Sequence, residues 1–161
     1  MQKTTNEIIV ETGSIKISND STALITSALG SCVAITLYDR TQKLGGMVHY
    51  ILPVNPGGKK KAKYADTGVE LLLEKMLEWN VKKKDLEAKM IGGAIMFEDF
   101  MDDIENSIGR RNVKKGKEIL KDLGIKLVSQ DIGGNYGRSV RFQLSDGNVY
   151  ITSYKTGAKI I

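Results

Sequence analysis

The chain has 161 residues but only one cysteine, Cys32, one histidine, His49, and two prolines. A lone cysteine excludes an internal disulfide framework and suits a reducing cytoplasm, where the chain is expected to reside. One thiol and one imidazole are too few soft ligands for a zinc site, so neither a metal nor any other cofactor is expected. No apolar run is long enough to cross a bilayer, so membrane insertion is not expected. The lead Met1-Gln2-Lys3-Thr4-Thr5-Asn6 lacks the apolar core of a secretion signal. Aromatic residues are 6% of the total and do not interleave with the basic runs, which argues against single-stranded nucleic acid as a partner. No repeat or low-complexity segment is present, and residues 1–161 read as a single domain with room for a substantial core.

What the chain does have is positive charge, net +5. It gathers in Lys59-Lys60-Lys61 with Lys63, in Lys82-Lys83-Lys84, and in Arg110-Arg111 with Lys114, Lys115 and Lys117. Such runs attract nucleic acid, anionic lipid or acidic protein, although scattered surface lysines are more often simply solvated. A basic nucleic-acid-binding domain therefore stands as one alternative, without a recognised nucleic-acid motif to support it.

Any thiol–imidazole chemistry must use Cys32 and His49. Cys32 follows Gly30-Ser31, a pair that lets the backbone turn tightly and aim successive N–H groups at one point, as an oxyanion hole requires. The plainer alternative is a buried structural thiol, because Cys32 runs straight into Val33-Ala34-Ile35. Register decides between them. Val33 to Tyr38 reads as a strand, residues 39–43 as a turn, and Gly46 to Leu52 as the returning strand. Pairing Asp39 with Leu44 sets Ala34 opposite His49. Cys32 then shares a face with Ala34 and lies diagonal to His49, about 7–8 Å away between backbones. A slip of one residue would send thiol and imidazole to opposite faces.

The remaining pattern predicts short strands at Glu7 to Val10, Ser14 to Ile17 and Ala23 to Thr26, then a mobile loop at Pro56 to Lys61 that could rim the site. A helix is predicted from Asp66 to Trp79, with Val69, Leu72, Leu73, Met76 and Leu77 as its apolar stripe and Thr67 to Glu70 as a capping box. A strand follows at Leu86 to Ile91, closed by Gly92-Gly93-Ala94. Phe97 to Glu105 reads as an exposed acidic turn or short helix. A second helix runs from the N-cap Ser107 to Leu123 with Gly124 as its stop, and Gly116 within it implies close approach to a sheet. Lys126 to Asp131 is a strand. Val140, Phe142 and Leu144 alternate before Asp146-Gly147, with Val149 and Ile151 after it, which marks a hairpin. The tail from Thr156 either docks or frays. About eight strands with two widely spaced helices indicate an α+β fold, the helices packed on mixed or antiparallel sheets.

Taken together, Thr26, Gly30-Ser31-Cys32, His49 with Leu52-Pro53, Lys63-Tyr64-Ala65-Asp66-Thr67, Gly92-Gly93-Ala94 with Met96-Phe97, Ile108-Gly109 with Arg111-Asn112, and Asp131 with Gly133-Gly134 and Gly137-Arg138 form a pattern. It resembles the chemoreceptor glutamine deamidase family, CheD, over about residues 8 to 155. The resemblance implies a fold similar to toxin-type cysteine deamidases and a catalytic group of Cys32, His49 and Thr26. It implies hydrolysis of receptor glutamine side chains to glutamate through a thioester, with backbone at Gly30 and Ser31 serving the oxyanion. It further implies two partners, the cytoplasmic domains of chemotaxis receptors and a CheC-type phosphatase acting on the response regulator, and no nucleic acid. A non-catalytic adaptor that only binds the phosphatase is the remaining alternative.

Overall fold

A computed structural model describes residues 5–96 and 106–161; the acidic stretch Phe97 to Glu105 lies outside the described residues. Ten strands and two α-helices are present among the described residues: β1 (Asn6–Ile9), β2 (Ser14–Ser18), β3 (Thr22–Leu29), β4 (Val33–Asp39), β5 (Leu44–Tyr50), α1 (Ala65–Leu77), β6 (Leu86–Gly92), α2 (Ile108–Asp122), β7 (Lys126–Ile132), β8 (Arg138–Gln143), β9 (Val149–Ser153) and β10 (Gly157–Ile160). They form two five-stranded sheets, ordered β1-β3-β8-β9-β10 and β2-β5-β4-β6-β7. The first and second sheets each contain one parallel pair, β1 with β3 and β6 with β7, and are otherwise antiparallel. The fold is α+β with mixed sheets, as the sequence pattern predicts.

Three layers follow from which faces are apolar. β4 and β5 are buried along their whole length, because the second sheet is covered on both sides and its central strands have no polar face to offer. Alternation sorts their side chains. Val33, Ile35, Leu37, Val48 and Tyr50 join Val69, Leu72, Leu73, Met76 and Leu120 beneath the helices. Ala34, Tyr38, Met47 and Ile91 join Leu24, Leu29, Val140 and Phe142 between the sheets. The β4–β5 hairpin pairs Asp39 with Leu44 and Ala34 with His49. The register that chemistry at Cys32 requires is therefore the one adopted.

Several local expectations need adjustment. α1 starts at Ala65 after the uncapped extended residue Tyr64, so the capping box does not form. Thr67 lies inside the first turn and its hydroxyl donates to the Lys61 carbonyl, while Asp66 accepts from the Asn55 and Thr67 N–H groups. Leu77, assigned to the apolar stripe, is exposed. β3 continues three residues past Thr26 through an irregularity at Ala28, whose φ is 59°. The tail docks: β10 pairs with β9. In contrast α2 begins at the N-cap Ser107 and is followed by Gly124 at φ 72°, as predicted.

Candidate active site

One end of the second sheet collects the start of β4 and the ends of β5, β6 and β7, which follows from the antiparallel and parallel pairings. His49 is the penultimate residue of β5 and only 1% exposed. It faces the first sheet, where Thr26 of β3 meets it: Thr26 Oγ1 lies 2.8 Å from His49 Nδ1. The same hydroxyl donates its single proton to the Val10 carbonyl at 2.7 Å. It can then only accept from the ring, so Nδ1 carries the hydrogen and Nε2 is left as a bare acceptor. Nε2 is buried and has no partner among the described residues. Thr26 thus fixes the tautomer in which imidazole can receive a proton, the office a carboxylate performs in other triads.

Cys32 is half-buried and packs against the intersheet cluster that includes Ala34, the cross-strand partner of His49. Thiol and imidazole therefore share the face between the sheets. Burial pushes the Cys32 thiol above its ordinary value, an effect opposed by its own backbone N–H. Burial also lowers His49 from 6.5 to about 4, because an imidazolium there would lack solvation. At neutral pH both groups rest uncharged. Such a pair delivers a nucleophile by passing the proton to nitrogen as sulfur attacks, rather than by storing an ion pair.

Gly30, Ser31 and Cys32 carry the chain from the first sheet into the second. Their three carbonyls are each held: Gly30 accepts from the Ala94 N–H at 2.9 Å, Ser31 from Asn112 Nδ2 at 2.9 Å, and Cys32 from the Gly93 N–H at 2.8 Å. Across a trans peptide the next residue's N–H points opposite to the carbonyl. The Ser31 and Cys32 N–H groups are so turned away from these anchors, and neither donates to a carbonyl among the described residues. Two adjacent N–H groups beside a thiol, neither engaged by a carbonyl among the described residues, are the donors an oxyanion needs. Gly92 makes the crossing possible. Its φ is 110°, and a β-carbon there would collide with the Cys32 carbonyl oxygen.

All five residues singled out from the sequence, Thr26, Gly30, Ser31, Cys32 and His49, thus fall within this one corner. Sequence reasoning missed the Val10 carbonyl and assigned no role to Asn112. A main-chain acceptor leaves no sequence signal. For Asn112 there was one: it shares a helix face with Gly109 and Gly116, an odd stripe for a core-facing side. The Pro56–Lys61 loop is tied by Asn55 Oδ1, which accepts from the Gly57 and Gly58 N–H groups. It borders a groove of about 560 Å³ lined by Lys59, Lys60, Lys61 and Lys63 together with Gly13, whose N–H bonds the His49 carbonyl at 2.7 Å. Among the described residues no cluster of His, Cys, Asp or Glu could hold a metal ion, and no helix is long and apolar enough to cross a membrane.

Two facing sheets, one delivering a hydroxyl and the other an imidazole beside a thiol, define an α+β protein with a candidate cysteine–histidine–threonine centre. The sequence model described as CheD chemotactic sensory transduction matches residues 51–153, a span that opens two residues after His49. Relatives extend the likeness across the centre itself. A probable chemoreceptor glutamine deamidase CheD of Caldanaerobacter subterraneus subsp. tengcongensis is 42% identical over 149 residues, 91% of this chain and 92% of the relative. The protein of the same description from Pyrococcus abyssi is 46% identical over 148 residues, 90% of each chain. A probable chemoreceptor glutamine deamidase CheD 1 of Methanosarcina acetivorans is 38% identical over 157 residues, 96% of each. The chain belongs to the CheD family.

Proposed function

We propose that this protein is a cytoplasmic protein-glutamine deamidase acting on chemotaxis receptors, with Cys32 as nucleophile, His49 as general base and acid, and Thr26 orienting the ring. The observation that carries the proposal is the one-way hydrogen-bond chain from His49 Nδ1 through Thr26 to the Val10 carbonyl, which leaves Nε2 bare on the thiol's face. Nε2 takes the Cys32 proton while sulfur attacks the side-chain carbonyl carbon of a substrate glutamine. The oxyanion settles on the Ser31 and Cys32 N–H groups. The imidazolium hands its proton to the departing nitrogen, the C–N bond breaks, and ammonia leaves a thioester. His49 then deprotonates water for attack on the thioester, and collapse restores the thiol and releases glutamate.

No metal or cofactor takes part in this sequence. A hydroxyl stabilises imidazolium less than a carboxylate would, so turnover is modest, which a receptor-modifying enzyme tolerates. A receptor-derived acidic helix and a CheC-type phosphatase are the partners this function calls for. The groove lined by Lys59 to Lys63 adjoins the His49 strand and has the charge to seat an acidic surface. The deciding experiment incubates purified protein with a receptor cytoplasmic fragment and maps glutamine-to-glutamate mass changes by peptide mass spectrometry. Cys32→Ala and His49→Ala must each abolish the change and the accompanying ammonia while keeping the fold. Deamidation that persists in Cys32→Ala refutes the mechanism.

A further inference from the structure

α2 makes its closest approach to the sheet through an unusual set of residues. Gly109, Asn112 and Gly116 are all buried and lie three and four residues apart, on one helix face. A β-carbon at Gly109 would collide with the Ala94 carbonyl, and one at Gly116 with the Tyr50 hydroxyl. The two glycines let the helix backbone sit against the site's own loops. Between them Asn112 is fully buried, where an amide is costly unless its protons are used. Both are: one donates to the Ser31 carbonyl at 2.9 Å and the other to the Ile51 carbonyl at 2.7 Å. Ser31 immediately precedes Cys32, and Ile51 follows His49 by two residues. One side chain therefore ties the turn bearing the thiol to the strand exit bearing the imidazole. The Asn112 main-chain carbonyl in turn accepts from the Tyr50 hydroxyl at 2.8 Å.

We infer that Asn112 is a positioning residue that locks the Ser31–Cys32 peptide in the orientation that aims the Cys32 N–H at the oxyanion. The three carbonyls of the Gly30–Cys32 turn have three anchors, and two of those are main-chain N–H groups of Ala94 and Gly93. The Ser31 carbonyl alone depends on a side chain. If that anchor is lost, rotation of the Ser31–Cys32 peptide brings its carbonyl to the place of the Cys32 N–H. An acceptor then faces the developing negative charge where a donor should stand. Among the described residues Asn112 makes no side-chain hydrogen bond to the thiol, the imidazole or Thr26, so loss of the lock spares proton transfer and removes stabilisation of the tetrahedral stage.

This inference rests on the thiol chemistry proposed above, and the test separates the two. Asn112→Ala, Asn112→Ser, Tyr50→Phe and wild type are compared in two reactions at the same sulfur. Alkylation by iodoacetamide displaces iodide at saturated carbon and forms no oxyanion. Acylation by p-nitrophenyl acetate passes through a tetrahedral oxyanion. In Asn112→Ala, acylation falls about tenfold or more while alkylation stays within about twofold. Asn112→Ser, which keeps one donor, lies between and carries the comparison if the alanine variant does not fold. Tyr50→Phe removes a structural anchor of the same helix; it lowers the melting temperature and leaves the ratio of the two rates unchanged. On receptor fragment, the Asn112 variants lose kcat and keep KM. Equal loss in both reactions, or none in acylation, overturns the inference. Wild-type protein that acylates but never deamidates receptor refutes the proposed function, while the acylation-to-alkylation ratio still decides the role of Asn112.

Discussion

Acid should destabilise this protein through His49, and the size of the effect follows from its burial. The ring is 1% exposed, its Nδ1 proton is held by Thr26, and its pKa is lowered from 6.5 to about 4. The unfolded chain takes up a proton near its ordinary value, whereas the folded chain resists until about 4. Between those limits the unfolded state binds more protons, so stability is whole above pH 6.5 and is lost as pH falls toward 4. At about 1.4 kcal/mol per pH unit, the loss by pH 4 is about 3 kcal/mol. The measurement is urea unfolding of wild type and His49→Asn from pH 7 to pH 4. The asparagine amide nitrogen can stand near the position of Nδ1 and keep the bond to Thr26. Acidic residues titrate alike in both proteins and cancel in the difference. With a single histidine in the chain, one ring proton resonance reports the same event directly. Parallel stability curves for the two proteins, or a ring resonance that titrates near 6.5 in the folded state, would refute the account of a neutral, sealed imidazole.

Other outcomes follow from the same geometry. Thr26→Val leaves the Nδ1 proton and the Val10 carbonyl without their shared partner, which costs about 1–3 kcal/mol of stability; deamidation falls about tenfold or more as the wrong tautomer becomes available, read by ammonia release and urea titration. Gly92→Ala forces a β-carbon against the Cys32 carbonyl at φ 110°. It should destabilise by about 1–3 kcal/mol and suppress activity together, measured on the same preparation. Since the proposed mechanism works through neutral His49, kcat/KM should stay level from neutrality down to about pH 5 and fall below it, rather than halve near 6.5. Binding of receptor fragment to the groove lined by Lys59 to Lys63 should weaken with added salt, seen in association rates, since steering by exposed charge is screened.

Most of the architecture was legible because its signals are local. The β-branched and aromatic run Val33 to Tyr38 and a short turn fix the register that brings Ala34 opposite His49, and Ser107 and Gly124 bracket α2. Capping of α1 was misread because Thr67 satisfies the Lys61 carbonyl across a one-turn 3₁₀ helix, Lys61–Lys63, that composition does not announce. Scarcity made Cys32 and His49 conspicuous, and family resemblance supplied Thr26. The hydrogen-bond direction through Thr26 was hidden, since its acceptor is the main chain of Val10. Asn112 was hidden differently: it acts 81 residues beyond Ser31 through tertiary contact, and its one trace in the sequence is the helix face it shares with Gly109 and Gly116.

The hydroxyl and the imidazole come from opposite sheets, and the chain returns to the second sheet through the very turn that bears the thiol. Neither sheet alone assembles a reactive centre, and α2, which braces the turn, is made only after all three polar groups have been synthesised. A nascent or partly unravelled copy consequently lacks the assembled centre. Under the proposed function, attack on amides begins only when the halves have closed on each other, so the glutamines of bystander proteins are spared during the protein's own maturation.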